Sequence, residues 1–500
     1  MHDWIIVAHV CKYWRAVAFS SPGLWDRIEF TRPEILDMYL TSSGSRPLEV
    51  CLQHVGHGFR QMAELRSCYD IMFDLLLPVG PRINSLIIHK DWILPHGQCQ
   101  FLEVSLQELE TLSITSDIGW ENQNEDEPQK RLRALFEGRL PRLRQLFIPE
   151  YTPWPNNDFK DLTLLCLYNQ SALEYELPNL LQMLRGSPNL EELYIRQHEN
   201  SHWIEYPPPN PGPTFPAHSL KKLHLYNFSI EATVYIFSTM LLQPNGVAVH
   251  LSDTLMATDT FTLTLPLFPP GFTLGKTEKL EVYHQSDATF GIIFCCTGGS
   301  LRMWGCLSGH NEEETRHAAI SLFGYIYKEC ARTLKELWIH NFHDKEEGYI
   351  FDNFSCFNLE KLVFVGGGDM SVGGGDVSDR LCAVLDPGNP EIHDLPAPRL
   401  RSLEIRRIHN QSQLERLIAL CEERSKTDHP LRNVSVACNP ENVPEWMTRL
   451  CCSSETPIHI DTRDEWDGQM MELPMVCDYS GPWWPSWEES IDGSTLYYGG

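Results

Sequence analysis

Residues 187–197 read SPNLEELYIRQ, and this stretch sets the pattern for most of the chain. Leu190, Leu193 and Ile195 stand three and then two residues apart. Alternation over Leu193–Ile195 marks a short strand with one face in a core, and Leu190 packs from the turn before it. The same triplet recurs as Ile83, Leu86, Ile88; Leu109, Leu112, Ile114; Leu143, Leu146, Ile148; Leu162, Leu165, Leu167; and Leu220, Leu223, Leu225. It returns as Leu334, Leu337, Ile339; Leu359, Leu362, Phe364; Leu400, Leu403, Ile405; and Leu431, Val434, Val436. Several units share a lead-in: AHSLKKL, ARTLKEL, CFNLEKL and APRLRSL. A strand this short cannot bury its apolar face alone. Neighbouring units must stack, with helices or loops filling the stretches between strands. The predicted fold class is therefore α/β, a solenoid of parallel strands over most of residues 80–440.

The triplet resembles the leucine-rich repeat, and the resemblance implies an irregular horseshoe. Successive triplets begin 19 to 41 residues apart. The family's Asn position, three places after the last apolar residue, holds Asp117, Tyr151, Phe228, Phe342 and Gly367 instead, which implies less uniform curvature. Between 240 and 330 the pattern weakens. Val247, Val249 and Leu251, then Leu280 and Val282, read as degenerate strands, with Met303 and Trp304 in another. Residues 317–330 read as a helix, as do 61–79. Residues 121–128, 206–216 and 365–378 read as acidic, proline-rich and glycine-rich loops.

The N-terminus differs. Trp4 to Phe30 reads WIIVAHVCKYWRAVAFSSPGLWDRIEF. Trp4, Val7, Ala8, Cys11, Trp14 and Ala18 recur at helical steps and predict one apolar stripe. Ser21 and Pro22 signal a short second turn, with the Ser21 hydroxyl as N-cap. Ile28 and Phe30 suit a strand, and Leu48, Val50 and Leu52 another. VCKYWRAVAFSSPGLW resembles the second half of an F-box as found in many fungal proteins. That resemblance implies a non-catalytic substrate receptor of an SCF-type cullin ubiquitin ligase. It would bind the Skp adaptor through the N-terminus and an unknown target protein through the repeats. The adaptor-facing or motif-core role falls on Val10, Cys11, Trp14, Leu24 and Trp25. The organisation read from the sequence is a partial F-box-like segment over 1–32, repeats over 33–460, and an acidic, Trp-rich tail or cap over 461–500. A repeat scaffold with no ligase link is a second reading.

Acidic residues outnumber basic ones by 67 to 40, for a net charge of −27. Nucleic acid, which needs a basic face, is not an expected partner, and anionic membranes are disfavoured. Met1-His2-Asp3 opens no signal peptide, and no stretch approaches the ~18 apolar residues of a membrane span. Sixteen cysteines without a Cys-x-x-Cys pair imply reduced thiols and an intracellular setting, cytoplasmic or nuclear.

Three motifs bear on chemistry. His198-Glu199-Asn200-Ser201-His202 fits the zinc-peptidase spacing, with two His as ligands and Glu as base. Asn200 and Ser201 are poor helix residues, Pro207–Pro209 follow, and no third ligand is evident. Residues 271–277, GFTLGKT, have three residues between glycines where a phosphate loop needs four. Residues 366–375 are glycine-rich, but no Lys-bearing helix follows them. No nucleophile motif such as Gly-x-Ser-x-Gly occurs. The expectation is no enzyme, no cofactor and no metal, with the zinc peptidase as the competing hypothesis.

Overall fold

The computed structural model describes residues 9–29, 33–52, 71–89, 106–115, 135–149, 159–170, 173–197, 213–242, 246–257, 276–286, 289–296, 298–308, 328–340, 356, 358–365, 377–388, 397–406, 411–437, 444–453, 457–461, 471 and 475. The chain is mixed α/β with extensive, mostly parallel strand pairing, and it divides into two compact units, Met1–Leu220 and Lys221–Gly500.

In the first unit, α1 (Lys12–Phe19) and a 3-10 turn (Pro22–Leu24) lead into β1 (Arg27–Glu29), α2 (Pro33–Ser42) and β2 (Leu48–Leu52). Then come β3 (Ile83–His89), β4 (Thr111–Thr115), β5 (Gln145–Pro149), β6 (Leu164–Gln170), α3 (Leu173–Arg185), β7 (Glu192–Gln197) and β8 (Phe215–Ala217). From β1 to β7 each strand pairs in parallel with the next in sequence. One register row runs Ile28, Val50, Leu86, Leu112, Leu146, Leu165, Leu193, each at most 1% exposed. Full burial of such a side chain stabilises by roughly 1.5–3 kcal/mol, so the row is a substantial part of the core. Leu177, Leu180, Leu181 and Leu184 form the buried stripe of α3, which ends where Gly186 bonds back to the Gln182 and Met183 carbonyls.

A backbone rail fixes the register. The N–H at or just before the start of a strand bonds to the carbonyl at the same place in the preceding repeat. The series runs Glu49 to Asp26, Glu110 to Asn84, Arg144 to Glu110, Thr163 to Arg144 and Glu191 to Thr163, each at 2.8 Å. In the second unit Lys335 bonds to Glu278 and Glu360 to Lys335 at 2.7 Å, then Arg401 to Glu360 at 2.9 Å and Arg432 to Arg401 at 2.8 Å. The residue after the first Leu of each triplet is thus held as firmly as the strand. Spacer length can then vary without moving the triplets.

The second unit contains β9 (Lys222–Tyr226), α4 (Ile230–Thr239), β10 (Met240–Leu242), β11 (Ala248–Ala257), β12 (Lys279–Ser286), β13 (Thr289–Cys296) and β14 (Gly299–Ser308). It continues with β15 (Glu336–His340), β16 (Lys361–Val365), α5 (Val377–Leu385), β17 (Ser402–Arg406), α6 (Gln411–Ser425), β18 (Asn433–Ala437), α7 (Glu445–Ser453) and β19 (Ile458–Asp461). Strand order across its sheet is β9-β11-β14-β13-β12-β15-β16-β17-β18-β19. Every neighbouring pair is parallel except those made by β13, which is antiparallel to both β12 and β14.

That inverted strand departs from the sequence reading, which placed only weak strands between 240 and 330 and assigned none to residues 289–296. Its connections explain the inversion. Two residues join β12 to β13 and two join β13 to β14, lengths that close hairpins but cannot make a parallel crossover. Gly298 takes φ +81°, as the second turn requires. TFGIIFCC is rich in aromatic and β-branched residues and sits buried on both faces at Ile292, Ile293, Phe294 and Cys295.

The N-terminal stripe is also corrected. Cys11 is extended at φ −157°, so α1 starts at Lys12 and no single helix carries Cys11, Trp14 and Ala18 as one face. Trp4, Val7 and Ala8 lie outside the described residues. Ser21 stands at the N-cap position without capping; its hydroxyl donates to the Val17 carbonyl at 2.8 Å. Besides β13, the elements not foreseen include α2, with Leu36 and Tyr39 buried, and the short strands β8, β10 and β19. Residues 71–76 are helical, and a 3-10 turn carries on through Pro78 and Pro81 to Arg82. Residues 121–128, and most of 206–216, 317–330 and 365–378, lie outside the described residues.

Candidate partner-binding surfaces

The five residues singled out at the N-terminus divide into one anchor and four outward positions. Trp25 is 1% exposed. Its indole N–H donates to the Ala18 carbonyl at 2.8 Å, its ring stacks on Phe19 at 4.9 Å, and Tyr39 of α2 meets it edge-on at 5.3 Å. Burial, with Glu29 nearby, pushes the Tyr39 phenol up to about 12, so it stays neutral in this packing. Val10, Trp14 and Leu24 are 67%, 48% and 37% exposed, and Cys11 is exposed as well. Cys11 acts locally: its Sγ accepts the Trp14 N–H at 3.5 Å and starts α1. Two further aromatics, Tyr13 and Phe19, are 71% and 43% exposed, and the Tyr13 ring meets Trp14 edge-on at 6.1 Å. The helical-stripe reading missed both, because neither stands three or four residues from Trp14 or Ala18. Beside Leu24 lies a cavity of about 460 Å³, whose lining includes Gly23, Asp26 and Arg46; Arg46 pairs with Asp26 at 2.8 Å.

The second surface is the sheet face of the second unit that points away from the Leu rows. One register row on it reads His224, His250, Arg302, Ile293, Glu281, Trp338, Val363, Glu404, Ser435, His459. The Ser252 hydroxyl lies 3.0 Å from Nε2 of both His224 and His250, and the two rings stack at 4.7 Å. Burial holds His250 well below its ordinary value, and the nearby His224 and Arg302 charges add to the effect. Glu281 is buried, with Oε1 3.0 Å from Nε2 of His340.

Trp338 organises the middle of this face. Its indole N–H donates to Glu336 Oε1 at 2.7 Å, Lys361 Nζ lies 4.5 Å above its ring, and the Arg406 guanidinium is 5.7 Å away. Burial raises the Glu336 carboxyl, but the Trp338 hydrogen bond together with Lys361 and Lys279 outweighs it, and the net shift is downward. Arg406 pairs with Glu404 at 2.7 Å. Around Trp338, the side chains of Ile293, Cys295, Val363, Val365 and Met471 form a closed apolar cluster. Sequence carried one signal for it: the middle residue of Leu337-Trp338-Ile339 and of Leu362-Val363-Phe364 is apolar where a one-sided strand wants a polar residue.

No group of three or more His, Cys, Asp or Glu placed to hold a metal occurs among the described residues. The His198–His202 motif and the 366–375 glycines lie outside them, as does 271–275 of the phosphate-loop candidate. No helix among the described residues is long and apolar enough to cross a membrane. Compared with protein families and with curated proteins, the chain matches none.

Proposed function

We propose that the chain is a non-catalytic interaction protein, an irregular leucine-rich repeat solenoid whose F-box-like N-terminal segment docks a Skp-type adaptor of a cullin ubiquitin ligase. The observation that carries the reading is the exposure of five large apolar side chains, Val10, Tyr13, Trp14, Phe19 and Leu24, on one short segment that Trp25 pins. Large exposed apolar patches mark contact sites. All five residues belong to the F-box-like motif. Parallel strands added one after another, with a fixed register and variable spacers, support the solenoid. In this reading the repeat sheet presents the target-binding surface, and the target is a protein.

Titration of the adaptor against residues 1–500 and their Trp14→Ala variant tests the docking half. The expected affinity is micromolar or weaker, and at least tenfold lower for Trp14→Ala, since interface energy concentrates in a few buried aromatics. Binding by neither protein leaves a repeat scaffold without a ligase link. Equal binding by both puts the contact on other residues.

A further inference from the structure

The second unit's sheet face is not empty. Met471 is only 2% exposed, and it is buried against Ile293 of β13, Trp338 of β15 and Val363 and Val365 of β16. Met471 lies ten residues beyond the end of the last strand, β19, yet it packs against residues of β13, β15 and β16. Four residues later Met475 is 86% exposed, which makes Met471 a local anchor. The residues around the anchor are acidic: Asp464, Glu465, Asp467 and Glu472 precede or follow it, against Arg463 alone. Among the partly exposed charges described on this face, Lys279, Lys361 and Arg406 outnumber Glu336 and Glu404, within a chain whose net charge is −27. Lys361 and Arg406 flank the seat itself, over the ring of Trp338.

We propose that this face is a peptide-binding surface for an acidic segment with one apolar anchor, and that the chain's own Met471 is its resident anchor. An incoming protein target of the same chemistry must displace Met471 to bind. The inference rests on the target-binding half of the proposed function and is independent of the adaptor. A thioether suits an exchangeable anchor, since it is flexible and fills irregular apolar seats without a demanding geometry.

Cys295 offers the readout, because its thiol is outside any disulfide and sits in the same cluster beneath Met471. The full chain and its Met471→Asp variant are alkylated with iodoacetamide under native conditions, and each cysteine is followed by mass spectrometry. Cys295 is expected to react at least tenfold faster in the variant. A synthetic peptide of residues 461–480, added in excess, should restore its protection, and the same peptide carrying Met471→Asp should not. Cys330, fully buried in the helical lead-in to β15, gauges global unfolding. If it too becomes reactive, Met471→Ala is used, with at least a threefold acceleration expected at Cys295 alone. Unchanged Cys295 reactivity overturns the proposal, as does acceleration that the native peptide fails to reverse. No adaptor enters the experiment, so the docking reading can fail while this one stands.

Discussion

The indole N–H of Trp25 and the carbonyl of Ala18 meet at 2.8 Å, and this bond ties the end of α1 to the first strand of the sheet. Trp25 and Trp14 therefore have opposite roles despite their proximity in sequence. Trp25→Ala opens a large cavity under Phe19 and Tyr39 and should cost ~3–5 kcal/mol of local stability. Trp14→Ala, on a half-exposed ring, should change stability by no more than about 0.5 kcal/mol. Hydrogen exchange at the β1 and β2 amides under mild denaturant separates the two. Equal loss of protection in both variants would mean that the anchor has been misplaced.

Leu337 and Trp338 are consecutive residues on opposite faces of β15. Leu337 is fully buried in the Leu row, so Leu337→Ala is expected to cost ~2–5 kcal/mol, read as a shift in the denaturation midpoint of the second unit. Glu336→Gln beside them removes charge pairing to Lys279 and Lys361 near the surface. Its expected effect is much smaller, under about 1 kcal/mol.

Arg424 is a buried structural cation. Its guanidinium donates to the carbonyls of Ala397 at 3.0 Å, His429 at 3.1 Å and Leu385 at 3.4 Å, joining the ends of α5 and α6 to the lead-in of β17. Burial lowers its pKa to about 10, so it remains charged at neutral pH. Arg424→Ala leaves buried carbonyls without donors and should cost ~3–5 kcal/mol. Arg424→Lys should rescue little, because one ammonium cannot span three divergent acceptors. Thermal unfolding of the two variants beside the parent chain checks both statements.

His250 gives the second unit a dependence on pH. Its folded pKa lies well below 6.5, so in the window below 6.5 the unfolded chain takes up a proton that the folded chain refuses. Stability is then fully present above 6.5 and declines as pH falls toward the folded value, by about 1.4 kcal/mol for each unit of pKa difference. The melting temperature should drop between pH 7.5 and 5.5, and His250→Gln should flatten that slope. A slope unchanged by the substitution would assign the effect to other groups.

The Leu triplets made most of the strands legible, because a fixed offset of three and two residues has one cheap explanation in a stacked sheet. Leu190, Leu193 and Ile195 lie where that explanation puts them. The inverted strand β13 was not legible, since an apolar run such as Gly291-Ile292-Ile293-Phe294-Cys295 carries no direction. Only the two-residue connections on either side impose one. Helix α1 was misread at Cys11 because periodicity continues across a break that a local cap creates. At the N-terminal site, residue type alone could not separate Trp25, which the fold buries, from Trp14, which it leaves outside. The seat of Met471 was hidden for a different reason: it joins residues far apart in sequence, and its only local trace is an apolar side chain at a position where solvent was expected.

The hairpins at β12–β14 also have a consequence for biosynthesis. Elsewhere in either sheet a newly made strand can pair at once with one already in place. β12 is the exception, because both of its partners, β13 and β15, follow it in sequence, while the second edge of β11 waits at Ala248 for Ser300. During translation at roughly 5–20 residues per second, that edge stays uncovered for several seconds while β12 and β13 emerge. Throughout that interval, a strand edge bearing buried-type residues such as Val249 and Leu251 is available to the wrong partner. The stretch that ends at residue 308 is thus where a ribosome-bound chaperone would matter most, and where slow codons would do the most harm.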